Sequence, residues 1–171
     1  MAQAMATAEP DGYTLFVGPT GVATITPHLR KLPYETLDWV RVARLSAFKG
    51  VLVVANSVPA KTAEEFISYG KANPGKLSFA TSGVGSQGHL NGLMLQKAWG
   101  IQMTHIPYKG AADMISDLIA GRVSMSIDVT MLQYVKHGKM RLLVNFDDKR
   151  LQEFPDVPAI TELSVPPAAR P

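Results

Sequence analysis

From Thr62 onward the sequence switches repeatedly between two periodicities, and this alternation limits the fold more than any other feature. Thr62-Ala63-Glu64-Glu65 has the form of a capping box, in which hydroxyl and glutamate each satisfy an N–H group at a helix start. The helix it opens is stopped by Asn73-Pro74-Gly75. Short apolar runs at 77–80, 102–106, 123–127 and 141–146 read as strands. The segments 86–99, 111–120 and 130–137 between them read as helices, the last two closed by Gly121 and Gly138. Strand followed by helix three times over, with tight links, predicts right-handed βαβ units on a parallel sheet, and so an α/β fold.

Before Lys61 the pattern is less regular. Residues 2–8 are alanine-rich and favour a helix, Pro10-Asp11-Gly12 is a stop, and Tyr13 to Val17 reads as a strand. A loop, Gly18-Pro19-Thr20-Gly21, leads into a helical or irregular stretch through His28 that breaks at Pro33. The β-branched run from Val40 to Val54, interrupted by Ser46-Ala47-Phe48-Lys49-Gly50, suits a strand pair or a crossing between two lobes. Residues 51–146 are therefore expected to form one compact parallel-sheet lobe, with residues 13–17 in a different sheet. The start has neither a basic end nor an apolar core, so the chain as given carries no export signal. It opens as though already inside a helix, and an N-terminal piece is expected to be missing.

Composition narrows the function. With 171 residues, 46% apolar and 18% charged, the chain suffices for one ordinary domain or two small lobes. The net charge of +3 is scattered, and no basic run alternates with aromatics, which argues against nucleic acid as a partner. There are no cysteines, hence no disulfides, thiolate metal sites or cysteine nucleophiles. His28, His89, His105 and His137 lie far apart along the chain without metal-ligand spacing, and neither metal nor cofactor is expected. The apolar stretches are too short and too often interrupted by charge to span a bilayer.

In a parallel α/β sheet every strand-to-helix loop emerges at the carboxyl edge, where such folds bind ligands. The loops there are Thr81-Ser82-Gly83-Val84-Gly85, Pro107-Tyr108-Lys109-Gly110 and Asp128-Val129. A glycine nest, an aromatic with a cation, and a carboxylate suit a small polar anion that also carries a donor. Gly83-Val84-Gly85-Ser86-Gln87-Gly88 also matches the G-x-G-x-x-G pattern of dinucleotide sites. That reading, a dinucleotide-binding oxidoreductase domain, needs an acid at the end of the next strand, about 20 residues on. Here the strand ends in His105-Ile106-Pro107-Tyr108-Lys109, and the first acid is Asp113. Ser86 with His89 as a nucleophile and base lacks the G-x-S-x-G elbow and a third orienting group. Ser86 is expected instead to cap the helix, with the N–H groups of Gly83, Gly85 and Ser86 and the hydroxyls of Thr81, Ser82 and Ser86 holding the anion. Asp128 is either a ligand contact or a helix cap, Tyr108 a ligand contact or a packing residue, and Lys109 an anion partner or a solvated charge. Met94, Met103, Met114 and Met125 occur at core spacings.

Taken together and in this order, PDGYTLFVGPTG, FATSGVGSQGHL, HIPYKGAADMISDLIAGRVSMSID and FPDVPAITEL resemble the tripartite tricarboxylate transporter receptor family, the TctC or Bug extracytoplasmic solute-binding proteins. The resemblance runs from about Ala4 to Leu163. It implies a type II periplasmic binding protein fold, two α/β lobes closing over a small carboxylate or dicarboxylate, with no enzymatic activity. It also implies a periplasmic, monomeric receptor with membrane permease subunits as partners. Carried onto this sequence, it places ligand contacts at Thr20 and Gly21 in the first lobe. In the second it places them at Thr81, Ser82, Gly83, Gly85, Ser86, Tyr108, Lys109, Gly110 and Asp128. The expected layout is a partial first lobe over 1–50, a complete second lobe over 51–146, and a return segment to the first lobe with a tail over 147–171. Family members carry a signal peptide and a first strand before the opening helix and continue past the PDVP motif, so the resemblance implies a fragment. The Pro-rich end, Val165 to Pro171, departs from the family's usual continuation.

Overall fold

The computed structural model describes residues 2–46 and 50–163. The chain divides into two compact units, residues 1–47 and 48–171. The Pro-rich end and the centre of the 46–50 interruption lie outside the described residues.

The first unit is built from short pieces: α1 (Ala2–Ala6), α2 (Gly21–Thr24), α3 (Thr26–Leu29) and a single 3-10 turn, Thr36–Asp38. Pro27 near the start of α3 suits a first helical turn, where no N–H partner is lost. A small aromatic group holds part of the unit together, with Trp39 edge-on to Phe16 at 5.9 Å and stacked on Tyr34 at 5.3 Å. The expected strand at 13–17 does not form. Tyr13, Leu15 and Val17 are extended in sequence pattern but stand exposed, and no described residue pairs with them in a ladder. A strand exists only beside another strand, so β propensity without a neighbour leaves irregular chain. Residues 40–46 of the β-branched run are likewise irregular, with Val40 and Val42 exposed.

The second unit carries a five-stranded sheet in the order β3-β2-β4-β1-β5. The strands are β1 (Val51–Ala55), β2 (Leu77–Thr81), β3 (Met103–Pro107), β4 (Met125–Ile127) and β5 (Met140–Asn145). The helices between them are α4 (Ala63–Ala72), α5 (Gln87–Trp99), α6 (Ala111–Ile119) and α7 (Leu132–Lys136), α7 being preceded by a 3-10 turn at Val129–Met131. β2 is parallel to both β3 and β4, as the βαβ pattern requires. The sheet is nevertheless mixed, because β1 runs antiparallel to β4 and to β5. The pattern of apolar residues reports that a strand is buried, not which way it points.

β1 is buried throughout, and its alternate side chains enter two cores. Leu52 and Val54 join Phe66 of α4, Leu95 and Trp99 of α5, and Leu77 and Phe79 of β2. Val51 and Val53 join Met114 and Leu118 of α6 and Met131 beside α7. A sheet covered by helices on both faces reads as unbroken apolar runs, as this one does. Helix α5 lies close on the sheet because position 92 is glycine: a Cβ there would sit 2.4 Å from the Phe79 ring. The Thr62 half of the capping box forms, its Oγ1 accepting from the Glu65 N–H at 3.2 Å. Glu65 reaches past the cap to the Lys61 N–H, at 2.6 Å.

After β5 the described residues stay on the second unit. The Asn145 N–H donates to the Pro158 carbonyl at 3.0 Å, Asn145 bridges Ala159 in parallel, and Ala159 and Ile160 are buried.

Candidate functional site

Since β2, β3 and β4 run in the same direction, the loops after them leave the same edge of the sheet. Thr81 to Ser86, Tyr108 to Gly110, and Asp128 therefore share that edge. Thr20 and Gly21 belong to the other unit, where Thr20 precedes α2.

The β2–α5 loop is shaped by glycine at two points. Gly83 has φ +125° and Gly85 φ +79°, conformations that side chains with a Cβ avoid. Ser86 caps α5, its hydroxyl accepting from the His89 N–H at 3.2 Å. Thr81 is buried at the end of β2, and its hydroxyl ties the loop together. It accepts from the Gly83 N–H at 3.2 Å, and lies 3.1 Å from the Gly83 carbonyl and 2.7 Å from His105 Nε2.

The distribution of amide donors differs from the expectation. Gly83 N–H is used by Thr81, Ser86 N–H donates to the Gly83 carbonyl at 3.3 Å, and Gly85 N–H donates to His89 Nδ1 at 3.2 Å. The three amides expected to hold an anion are thus engaged within the loop. Among the described residues, the amides of Ser82, Val84, Gln87 and Gly88 have no partner, and neither has the Ser82 hydroxyl. Gln87 and Gly88 open a 13-residue helix, where the unpaired N–H groups and the aligned peptide dipoles attract negative charge. The inner amides set the loop's shape, and the outer ones are left as unpaired donors.

Tyr108 is tied to the helix that follows it. Its hydroxyl donates to Asp117 Oδ2 at 2.6 Å, while Arg122 Nε donates to Asp117 Oδ1 at 2.8 Å. Burial, and then this bond to Asp117, push the phenol up to about 12. Asp117 is held below the usual carboxylate range, by Tyr108 first and then by Arg122. Asp128 serves as a cap, Oδ1 accepting from the Thr130 N–H at 2.9 Å and from its hydroxyl at 2.8 Å. Lys109 and Gly110 are exposed, and among the described residues Lys109 forms no ion pair.

Sequence spacing gave no signal for one cluster. His89 and His105, far apart along the chain, stack at 4.1 Å, and Phe79 continues the column at 4.8 Å from His105. Parallel register sets Phe79 beside His105, and the first turn of α5 lies above them. Burial, then the neighbouring His89, lower the pKa of His105. Among the described residues, no three of His, Asp or Glu gather as a metal site. No described helix is long and apolar enough to cross a membrane.

A family model described as the tripartite tricarboxylate transporter family receptor matches residues 1–168. The UPF0065 protein in the gbd 5′ region of Cupriavidus necator is 37% identical over 172 aligned residues, covering 96% of this chain and 50% of its own length. Protein BugT of Bordetella pertussis is 32% identical, over 95% of this chain and 52% of its own. Among solved structures, R. palustris Rpa4515 with adipate superposes with a TM-score of 0.89 at 30% identity, covering 97% of this chain and 57% of that one. MatC (Rpa3494) from Rhodopseudomonas palustris with bound malate gives 0.84 at 30% identity, over 96% and 57%. The chain spans about half the length of the curated relatives it matches.

Proposed function

Because the chain belongs to the tripartite tricarboxylate transporter receptor family, we propose that it captures a small carboxylate or dicarboxylate as part of a periplasmic receptor, for an uptake system whose membrane permease subunits are its partners. The observation that carries this reading is the β2–α5 loop, where the outer amides of Ser82, Val84, Gln87 and Gly88 and the Ser82 hydroxyl are open donors at a helix start. A carboxylate is the acceptor such a set prefers, since hydrogen bonds to ionised groups are about twice as strong as neutral ones. Lys109 and Gly110, on the same edge, would meet the ligand's distal end. The receptor does no chemistry on its ligand. Ser86 Oγ is occupied by the His89 N–H and His89 Nδ1 by the Gly85 N–H, so neither is arranged as nucleophile and base.

Two structural neighbours were solved with adipate and with malate, which makes these the first probes. Calorimetric titration of the chain with each, and with NAD and NADP, tests the reading. Saturable heat with a dicarboxylate and none with either dinucleotide is expected. Dinucleotide binding without a carboxylate response would replace the receptor reading with that of an oxidoreductase domain.

A further inference from the structure

We infer that His89 is a positioning residue whose neutral imidazole latches the β2–α5 loop through Gly85, and that acidification opens this latch and weakens the loop's grip on its anion. The part concerning the anion rests on the receptor reading above; the latch itself does not.

The geometry assigns the proton. Gly85 N–H points at His89 Nδ1 at 3.2 Å, so Nδ1 is the acceptor and the neutral ring carries its proton on Nε2. An imidazolium has no acceptor nitrogen. Adding a proton to Nδ1 therefore does more than charge the ring, because it sets an N–H against an N–H and expels Gly85. Gly85 has φ +79° and lies between the open amide of Val84 and the helix cap at Ser86, so its release alters the directions of the outer donors.

The surroundings of the two rings are well defined. β2 turns Phe79 and Thr81 toward the pair, β3 turns His105, and the loop turns Gly85. Among the described residues, no carboxylate, lysine or arginine hydrogen-bonds or ion-pairs with either ring. The two imidazoles, 4.1 Å apart, are each other's charged neighbour, and two positive rings at that distance repel. His105 resists protonation, from burial first and from His89 second. Of the two rings, His89 is the one that holds the loop, through the Gly85 N–H. His105 meanwhile keeps Thr81, and with it Gly83, in place.

The latch can be read without ligand. In an amide and histidine-ring NMR titration of the chain from about pH 8 to pH 5, the Gly85 amide resonance is expected to move with the His89 ring. In His89→Asn, whose side-chain oxygen offers a fixed acceptor near the Nδ1 position, that titration is expected to vanish. In His89→Ala, Gly85 N–H exchange with solvent should rise about tenfold at constant pH. A Gly85 amide that stays flat while His89 titrates, or that titrates equally in His89→Asn, would overturn the inference. In calorimetry with adipate and malate, affinity is expected to fall about five- to tenfold between about pH 7.5 and pH 5. In His89→Asn the ratio of the two affinities should approach one. Absence of dicarboxylate binding at both pH values overturns the receptor reading, while the Gly85 titration still decides the latch.

Discussion

Two stretches of similar composition end in opposite states. Val51 to Ala55 and the run Tyr13 to Val17 are both five residues rich in β-formers, yet the first is wholly buried and the second largely exposed. The difference lies in neighbours. β1 is flanked by β4 and β5 and covered on both faces, whereas no described strand pairs with residues 13–17. Propensity made both candidates, and pairing made only one a strand. The relatives are about twice as long as this chain, and a strand's fate depends on what lies next to it.

The largest expected effect sharpens this contrast. Phe66 of α4 is fully buried between β1 and Trp99, the latter edge-on at 6.3 Å. Phe66→Ala should destabilise the second unit by about 3–5 kcal/mol, through lost transfer energy and an unfilled cavity. Val42→Ser, in the exposed run of the first unit, should stay within about 0.5 kcal/mol. Urea unfolding of both variants checks the pair. Equal losses would mean that residues 40–46 are buried in solution and that the contrast fails.

How far the sequence carried the reading follows from the same physics. Local signals were legible because they act over three or four residues. The Thr62 cap, the Ser86 cap and the glycines closing the helices fall where the spacing placed them, within a residue or two. So was the α/β class, since alternating periods survive any tertiary arrangement. Strand direction was not legible, because β1 is antiparallel for reasons of chain path that leave no mark on its own side chains. The loop was half legible. G-x-G marked a loop whose shape depends on glycine, as the positive φ at Gly83 and Gly85 bears out, but not that their amides would turn inward to Thr81 and His89. The His89–His105 stack required knowing which strand lies under α5.

Helix caps offer a finer test of the two regions. Ser86 and Thr20 both precede helices, yet only Ser86 makes a side-chain cap bond, to the His89 N–H. Ser86→Ala should cost about 1 kcal/mol, and the helix start beside the open amides should fray. Thr20→Ala has no such bond to lose and should change stability by no more than about 0.5 kcal/mol. Thermal unfolding with amide exchange at Gln87 to Leu90 measures both. A Thr20→Ala loss as large as that of Ser86→Ala would show that α2 is capped in solution and that the first unit is more finished than its short helices indicate.

The smallest expected effect concerns the segment that follows β5. Arg150 meets Glu162 with Nε at 2.9 Å from Oε1 and Nη2 at 2.6 Å from Oε2, and the Ala159 N–H donates to Oε1 at 2.9 Å. The guanidinium first, and the Ala159 amide second, hold the Glu162 carboxyl down at about 2. The folded value lies below the unfolded one, so the contribution is complete above the ordinary glutamate range, near pH 4.5, and is lost as pH falls toward about 2. The pair is exposed to solvent, which screens it, and global stability should hardly respond. The local response should be visible, because Glu162 fixes the turn that seats Ala159 and Ile160 beside β5. Amide exchange at Ala159 should accelerate between about pH 4.5 and pH 2.5 beyond its intrinsic pH dependence. In Glu162→Gln the exchange should already be fast at neutral pH and show no further step. Exchange at Leu52 and Val53 in β1 should stay slow throughout, and loss of protection there together with Ala159 would show that the segment and the sheet open as one unit.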